Sequence, residues 1–126
     1  MDKNKVMAIF NKAVLERKAT WWQMELPSGD VVFGDAKAEM LGYHKSKFTN
    51  YKDFTELLHP DDYDKAMKAM KDHLEGKTKF YDRIYRIRHK KGYYIKFYDC
   101  GKIIEKDQGK ITVMGFVWLV DENKDF

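Results

Sequence analysis

Apolar residues in the first eighteen positions return every three or four places. Val6, Ile9, Phe10, Ala13 and Val14 share one stripe, so residues 2–18 are predicted as an amphipathic helix. The period then shortens. Residues 20–26 are rich in strand formers, Pro27-Ser28-Gly29-Asp30 is a turn, and 31–33 returns as a second strand, which reads as a hairpin. Asp35 is placed to cap a short helix carrying Ala36, Ala38, Met40 and Leu41 and ending at Gly42. Residues 43–58 read as short helical turns and loops.

Leu57-Leu58-His59-Pro60-Asp61-Asp62 joins an apolar run to a helix start. Proline at a first helical position loses no hydrogen bond, and the two aspartates set negative charge against the positive end of the dipole. Tyr63, Ala66, Met67, Met70 and Leu74 follow at helical spacing, and Glu75-Gly76 closes the helix. One histidine and two carboxylates within four positions also fit a metal or acid–base cluster, but capping accounts for Pro60 and both aspartates without one.

Beyond Gly76 the pattern is β throughout. Residues 79–89, 93–105 and 110–120 are three strand candidates separated by Lys90-Lys91-Gly92 and Lys106-Asp107-Gln108-Gly109, an antiparallel meander. The order of elements predicts an α+β fold: a five-stranded antiparallel sheet with helices packed on one face and an N-terminal amphipathic flanking helix.

Composition narrows the class. At 126 residues the chain has room for one domain, and 44% hydrophobic residues with 15% aromatics exclude disorder. The longest mostly apolar run, 111–120, is half the length of a membrane span, the N-terminus lacks a secretory pattern, and the lone Cys100 has no intrachain partner. A cytoplasmic location and no membrane insertion are expected. The net charge of +4 is uneven: lysines and arginines outnumber acids between Lys77 and Lys110, with tyrosines and phenylalanines interleaved, as on an RNA-binding sheet. Several of those lysines sit at turns, so a solvated hairpin face is the preferred reading and no nucleic acid is expected.

Five motifs then line up: Trp22-Gln23-Met24-Glu25-Leu26 before the Gly29 turn, Met40-Leu41-Gly42-Tyr43, Leu58-His59-Pro60-Asp61-Asp62, Tyr85-Arg86-Ile87-Arg88 before Gly92-Tyr93, and Met114-Gly115-Phe116 running to Asp121. In this order and spacing the sequence resembles the PAS family, in the subgroup found in many prokaryotic sensor kinases and cyclases. The resemblance covers 20–122 and implies a PAS sensor domain there. It makes 1–19 an N-terminal linker helix and 123–126 the start of a linker to an output domain absent from this chain. The function implied is sensory regulation within a multidomain signalling protein, a sensor histidine kinase foremost, with Asp121 passing the signal on and no catalysis by this piece. The chain departs from the subgroup at Lys91, Lys96, Met24 and Glu122-Asn123, where the usual residues are Asp, Trp, Trp and Ile-Thr.

Candidate chemistry is sparse. The Asn-Cys-Arg-Phe-Leu-Gln segment of flavin-binding light sensors is absent, and Cys100 falls in a strand, where it is expected to pack as a small apolar group. His73 is the one candidate haem ligand, but its place beside Asp72 and Glu75 at a helix end reads as surface. His44, His59 and His89 are too scattered for zinc, so neither metal nor cofactor is expected. A small-molecule pocket is expected between the long helix and the last three strands, with Met67, Met70, Tyr85, Arg86, Tyr98 and Phe116 as candidates. Homodimerisation is expected through the Val6, Ile9, Phe10, Ala13, Val14 stripe. The rival readings are a small α+β enzyme or ligand carrier with a closed cavity, and an RNA-binding sheet.

Overall fold

A computed structural model describes residues 2–120. Helix α1 (Lys3–Leu15) leads into strands β1 (Ala19–Leu26) and β2 (Val31–Phe33). Three α-helices follow, α2 (Ala36–Met40), α3 (Tyr51–Thr55) and α4 (Pro60–Leu74), with a 3-10 turn at Lys45–Lys47 between the first two, and then β3 (Tyr81–Arg88), β4 (Tyr94–Asp107) and β5 (Lys110–Leu119). The strands form one antiparallel sheet in the order β2-β1-β5-β4-β3, so the last strand lies at the centre beside the first. This is the α+β architecture expected. Asp121 and residues 123–126 lie outside the described residues.

Alternation along the strands decides what each face holds. Phe97, Val113 and Val117 point inward and are fully buried, as are Ile87 on β3 and Leu41 after α2. Phe48 stacks on Phe54 at 4.0 Å and Phe33 meets Phe54 edge-on, which seats α3 on the hairpin. On the outer face Tyr98 stacks on Trp118 at 4.6 Å, and Phe10 of α1 meets both Phe116 and Trp118 edge-on. Helix α1 therefore covers part of the outer face while α2, α3 and α4 cover the inner one.

Local chemistry sets the ends of the elements. Asn50 accepts from the Lys52 N–H while Asp53 accepts from the Asn50 N–H, a reciprocal cap that starts α3. The β4–β5 turn is a two-residue connection in which Gln108 and Gly109 both have positive φ, the geometry that suits the twist of a hairpin. Pairing runs to Asp107 and Lys110, two residues beyond the expected end of the fourth strand. Asp35 does not cap α2. Its backbone is already helical and its carboxylate lies 3.6 Å from Lys45 instead.

Helix α4 is fastened at both ends. At its start, His59 Nδ1 accepts from the Asp61 N–H, and residues 57–59 pair with the β3 edge through His59 N–H to Arg86 O and Arg88 N–H to Leu57 O. Asp62 receives the Arg86 guanidinium through Nε and Nη2, both at 2.9 Å, and also accepts from the Arg86 backbone N–H. Those three bonds hold the Asp62 carboxyl far below the usual carboxylate range. Near its other end, His73 donates from Nδ1 to the Thr78 carbonyl, and its Nε2 accepts from the Ile103 N–H of β4. The histidine and aspartates of the 57–62 segment are thus structural: they start α4 and tie it to β3.

Candidate functional site

Between α4, α3 and the inner face of the sheet lies a cavity of about 270 Å³. Helix α4 contributes Ala66, Met67, Met70, Lys71 and Leu74; β1 and β2 contribute Trp22, Met24, Leu26 and Val31. Most of the lining is apolar. Among the polar exceptions, Trp22, Lys37, Tyr81 and Tyr85 gather around Asp99, which alternation on β4 turns inward beside Phe97.

Asp99 accepts from the Trp22 indole N–H at 2.6 Å and from the Tyr85 hydroxyl at 2.8 Å, so each carboxylate oxygen has a donor. Burial nevertheless dominates and raises its pKa to about 6, against the opposing pull of Lys37 and the two hydrogen bonds. Tyr85 and Tyr81 titrate well above an ordinary tyrosine, first because they are buried and next because Asp99 is near. Lys37 is buried too, and its ammonium is lowered to about 8 by desolvation, partly offset by Asp99. Its Nζ sits 3.8 Å from the centre of the Phe54 ring and 5.8 Å from that of Trp22.

The position of Trp22 depends on two glycines. Gly101 and Gly115 face each other across β4 and β5 at the point where the indole lies on the sheet. A Cβ on Gly101 would come within 2.9 Å of the Trp22 ring, and one on Gly115 within 2.6 Å. The bare backbone lets the indole settle low enough to reach Asp99.

Of the six pocket candidates read from the sequence, Met67, Met70 and Tyr85 line the cavity and the other three do not. Arg86 alternates with Tyr85 and turns outward to Asp62. Tyr98 pairs with Ile84 and shares the outer face with Trp118. Phe116 lies opposite Cys100 and Trp21, beneath Phe10. His73, read as a surface residue, is buried, and both its ring nitrogens are engaged within the protein, so neither has a free lone pair for haem iron. Among the described residues no three histidine, cysteine or acidic side chains converge as a metal site. Of the stripe on α1, Ile9, Phe10 and Ala13 are half-buried, while Val6 and Val14 are exposed.

Sequence reasoning does not single out Lys37, Asp99, Trp22 or Tyr81 as site residues. Asp99 carries a readable signal, since Ile95, Phe97, Asp99, Gly101 and Ile103 fall on one face of a period-two strand. Lys37 has none: a lysine in a five-residue helix faces solvent by default.

A five-stranded antiparallel sheet with helices packed over its inner face around a cavity is the architecture of a class of α+β sensory domains. The sequence profile of the PAS fold matches residues 31–117, and the chain belongs to that family. No curated protein matches it significantly. Among solved structures it is similar to a sensory box histidine kinase/response regulator from Burkholderia thailandensis, at 26% identity, with a TM-score of 0.72 and coverage of 90% of this chain and 86% of that one. It is also similar to the N-terminal domain of a diguanylate cyclase with a PAS/PAC sensor from Marinobacter aquaeolei, at 21% identity and a TM-score of 0.71, covering 81% and 94% of the two chains. A domain of a putative light and redox sensing histidine kinase from Haloarcula marismortui superposes at a TM-score of 0.74 with 20% identity, covering 94% and 100%.

Proposed function

We propose that this PAS domain binds a small molecule in the cavity under α4 and passes the binding free energy through its terminal segments to an output module, a histidine kinase foremost. The carrying observation is the cavity itself, large enough for about eleven non-hydrogen atoms if scaled from a cavity of roughly 150 Å³ that holds benzene. The kinase and cyclase contexts of the similar structures support a signalling output. The role is binding and not catalysis, exercised in the cytoplasm, where the unpaired Cys100 meets no oxidant. A ligand shifts output only by binding two arrangements of sheet and linker unequally.

Filling the cavity tests the reading. Ala66, 2% exposed and on the cavity wall, is replaced by phenylalanine, and the methyl resonances of Met67 and Met70 are followed while 1-octanol is added. In the parent protein both methyls are expected to shift saturably; in a folded Ala66→Phe they stay still. Equal shifts in both proteins would move the binding site elsewhere. In the full-length protein the same substitution is expected to fix output at one level.

The α1 stripe supports self-association with a second copy through its exposed part. Because Phe10 packs on the protein's own sheet, the informative change is Val6→Glu with Val14→Glu, both sites being 44% exposed. Sedimentation is expected to show a weaker dimer with an unchanged melting temperature. A parent that sediments as a monomer overturns it.

A further inference from the structure

Lys37 is 7% exposed and lines the cavity, yet among the described residues its ammonium makes no hydrogen bond and no ion pair. Asp99 stands beyond ion-pair distance with both oxygens already engaged by Trp22 and Tyr85. Nζ lies over the faces of Phe54 and Trp22, which attract a cation but accept no conventional hydrogen bond. An ammonium on a buried side chain whose unspent donors face a mostly apolar cavity is costly. Its burial lowers the pKa to about 8, which leaves it mostly protonated at neutral pH.

What the Lys37 ammonium lacks is an acceptor within hydrogen-bond distance, and an anionic acceptor gives a hydrogen bond roughly twice as strong as a neutral one. The remaining lining, Met67, Met70, Leu74, Met24 and Leu26, suits a hydrocarbon tail. We propose that the cavity takes a small amphipathic monocarboxylate, its head on the Lys37 ammonium and its tail along the methionines of α4. This rests on the cavity being the ligand site. A single buried cation and about 270 Å³ favour one carboxylate over a doubly charged phosphate. Lys71, a second cation at the cavity wall, is exposed and marks the competing position for a head group.

Octanoate and 1-octanol, matched in chain length and differing in charge, are titrated calorimetrically at pH 7 into the parent protein, Lys37→Met, Lys71→Met and Ala66→Phe. Octanoate is expected to bind at least tenfold tighter than octanol in the parent and in Lys71→Met. Lys37→Met is expected to erase that preference while keeping octanol affinity, and Ala66→Phe to abolish both. Lys37→Met conserves length and removes a buried charge, so it is expected to melt at or above the parent temperature, which keeps the comparison one between folded proteins. Equal binding of the two probes in the parent, or a carboxylate preference surviving Lys37→Met, overturns the proposal. If octanol alone binds and Ala66→Phe blocks it, the carboxylate assignment fails while the cavity remains the ligand site. If neither probe binds in an Ala66-dependent way, both fail.

Discussion

Gly115→Ala is expected to destabilise the domain by more than about 3 kcal/mol, at the upper end of what overpacking a core costs. The added methyl would fall on the carbonyl oxygen of Cys100 across the β4–β5 ladder as well as on the Trp22 ring. The backbone clash cannot be relieved by a side-chain rotation, and β5 is the central strand, so the two longest strands must separate. Gly101→Ala meets the Met114 carbonyl at 2.7 Å and Trp22 at 2.9 Å and is expected to cost somewhat less. Urea unfolding gives the free energies. Trp22 to Phe in the Gly101→Ala background is expected to recover part of the loss by giving up the larger ring. No recovery would show that the β4–β5 clash alone is responsible.

The second large effect centres on Asp99. Asp99→Leu leaves the buried Trp22 N–H and Tyr85 O–H without an acceptor, at about 1–3 kcal/mol each, and strips Lys37 of its nearby negative charge. A total loss of about 2–6 kcal/mol is expected, the sum of the two stranded donors. Asp99→Asn keeps an acceptor and sheds a desolvated charge, so it is expected to stay within about 1 kcal/mol of the parent at pH 7. Acidity separates the two states further. Asp99 titrates at about 6 folded and 3.8 unfolded, so between those values the folded chain binds more protons, and its contribution to stability falls as pH rises through that window. The drop across the window is about 3 kcal/mol, because a tenfold change in proton affinity is worth about 1.4 kcal/mol. Lys37 runs the other way: folded at about 8 and unfolded at 10.5, it adds stability as pH rises across that range. The pair therefore contributes least between pH 6 and 8, where both are charged. The stability difference between parent and Asp99→Asn, measured from pH 3.5 to 7, isolates the acid arm; a flat difference refutes the assignment.

The elements are legible because their signals are local. Periodicity marks α1 and α4, Pro60 marks the start of α4, and Gly92 and Gly109 mark the turns of the meander. The pocket is legible only in part. Met67 and Met70 follow from helical spacing, but nothing comparable fixes the phase of the strands that carry Arg86, Tyr98 and Phe116. The registers, with Tyr85 opposite Phe97, Ile84 opposite Tyr98 and Cys100 opposite Phe116, put all three on the far side. Asp99 shows its inward phase through Phe97 and Ile103 on the same strand face, but its role does not show, since that depends on Trp22, whose approach depends on Gly101 and Gly115. Such dependence leaves no linear motif. His73 misleads for a related reason: its partners, Thr78 and Ile103, are brought to it by the turn after α4 and by β4.

A rod pinned at both ends cannot swing; it can only bow. With Asp62 held by Arg86 and His73 held between Thr78 and Ile103, α4 has no hinged end to lift as a door. The wall that Ala66, Met67 and Met70 present to the cavity is therefore set at a fixed height above the sheet, as the roof of a socket and not its flap.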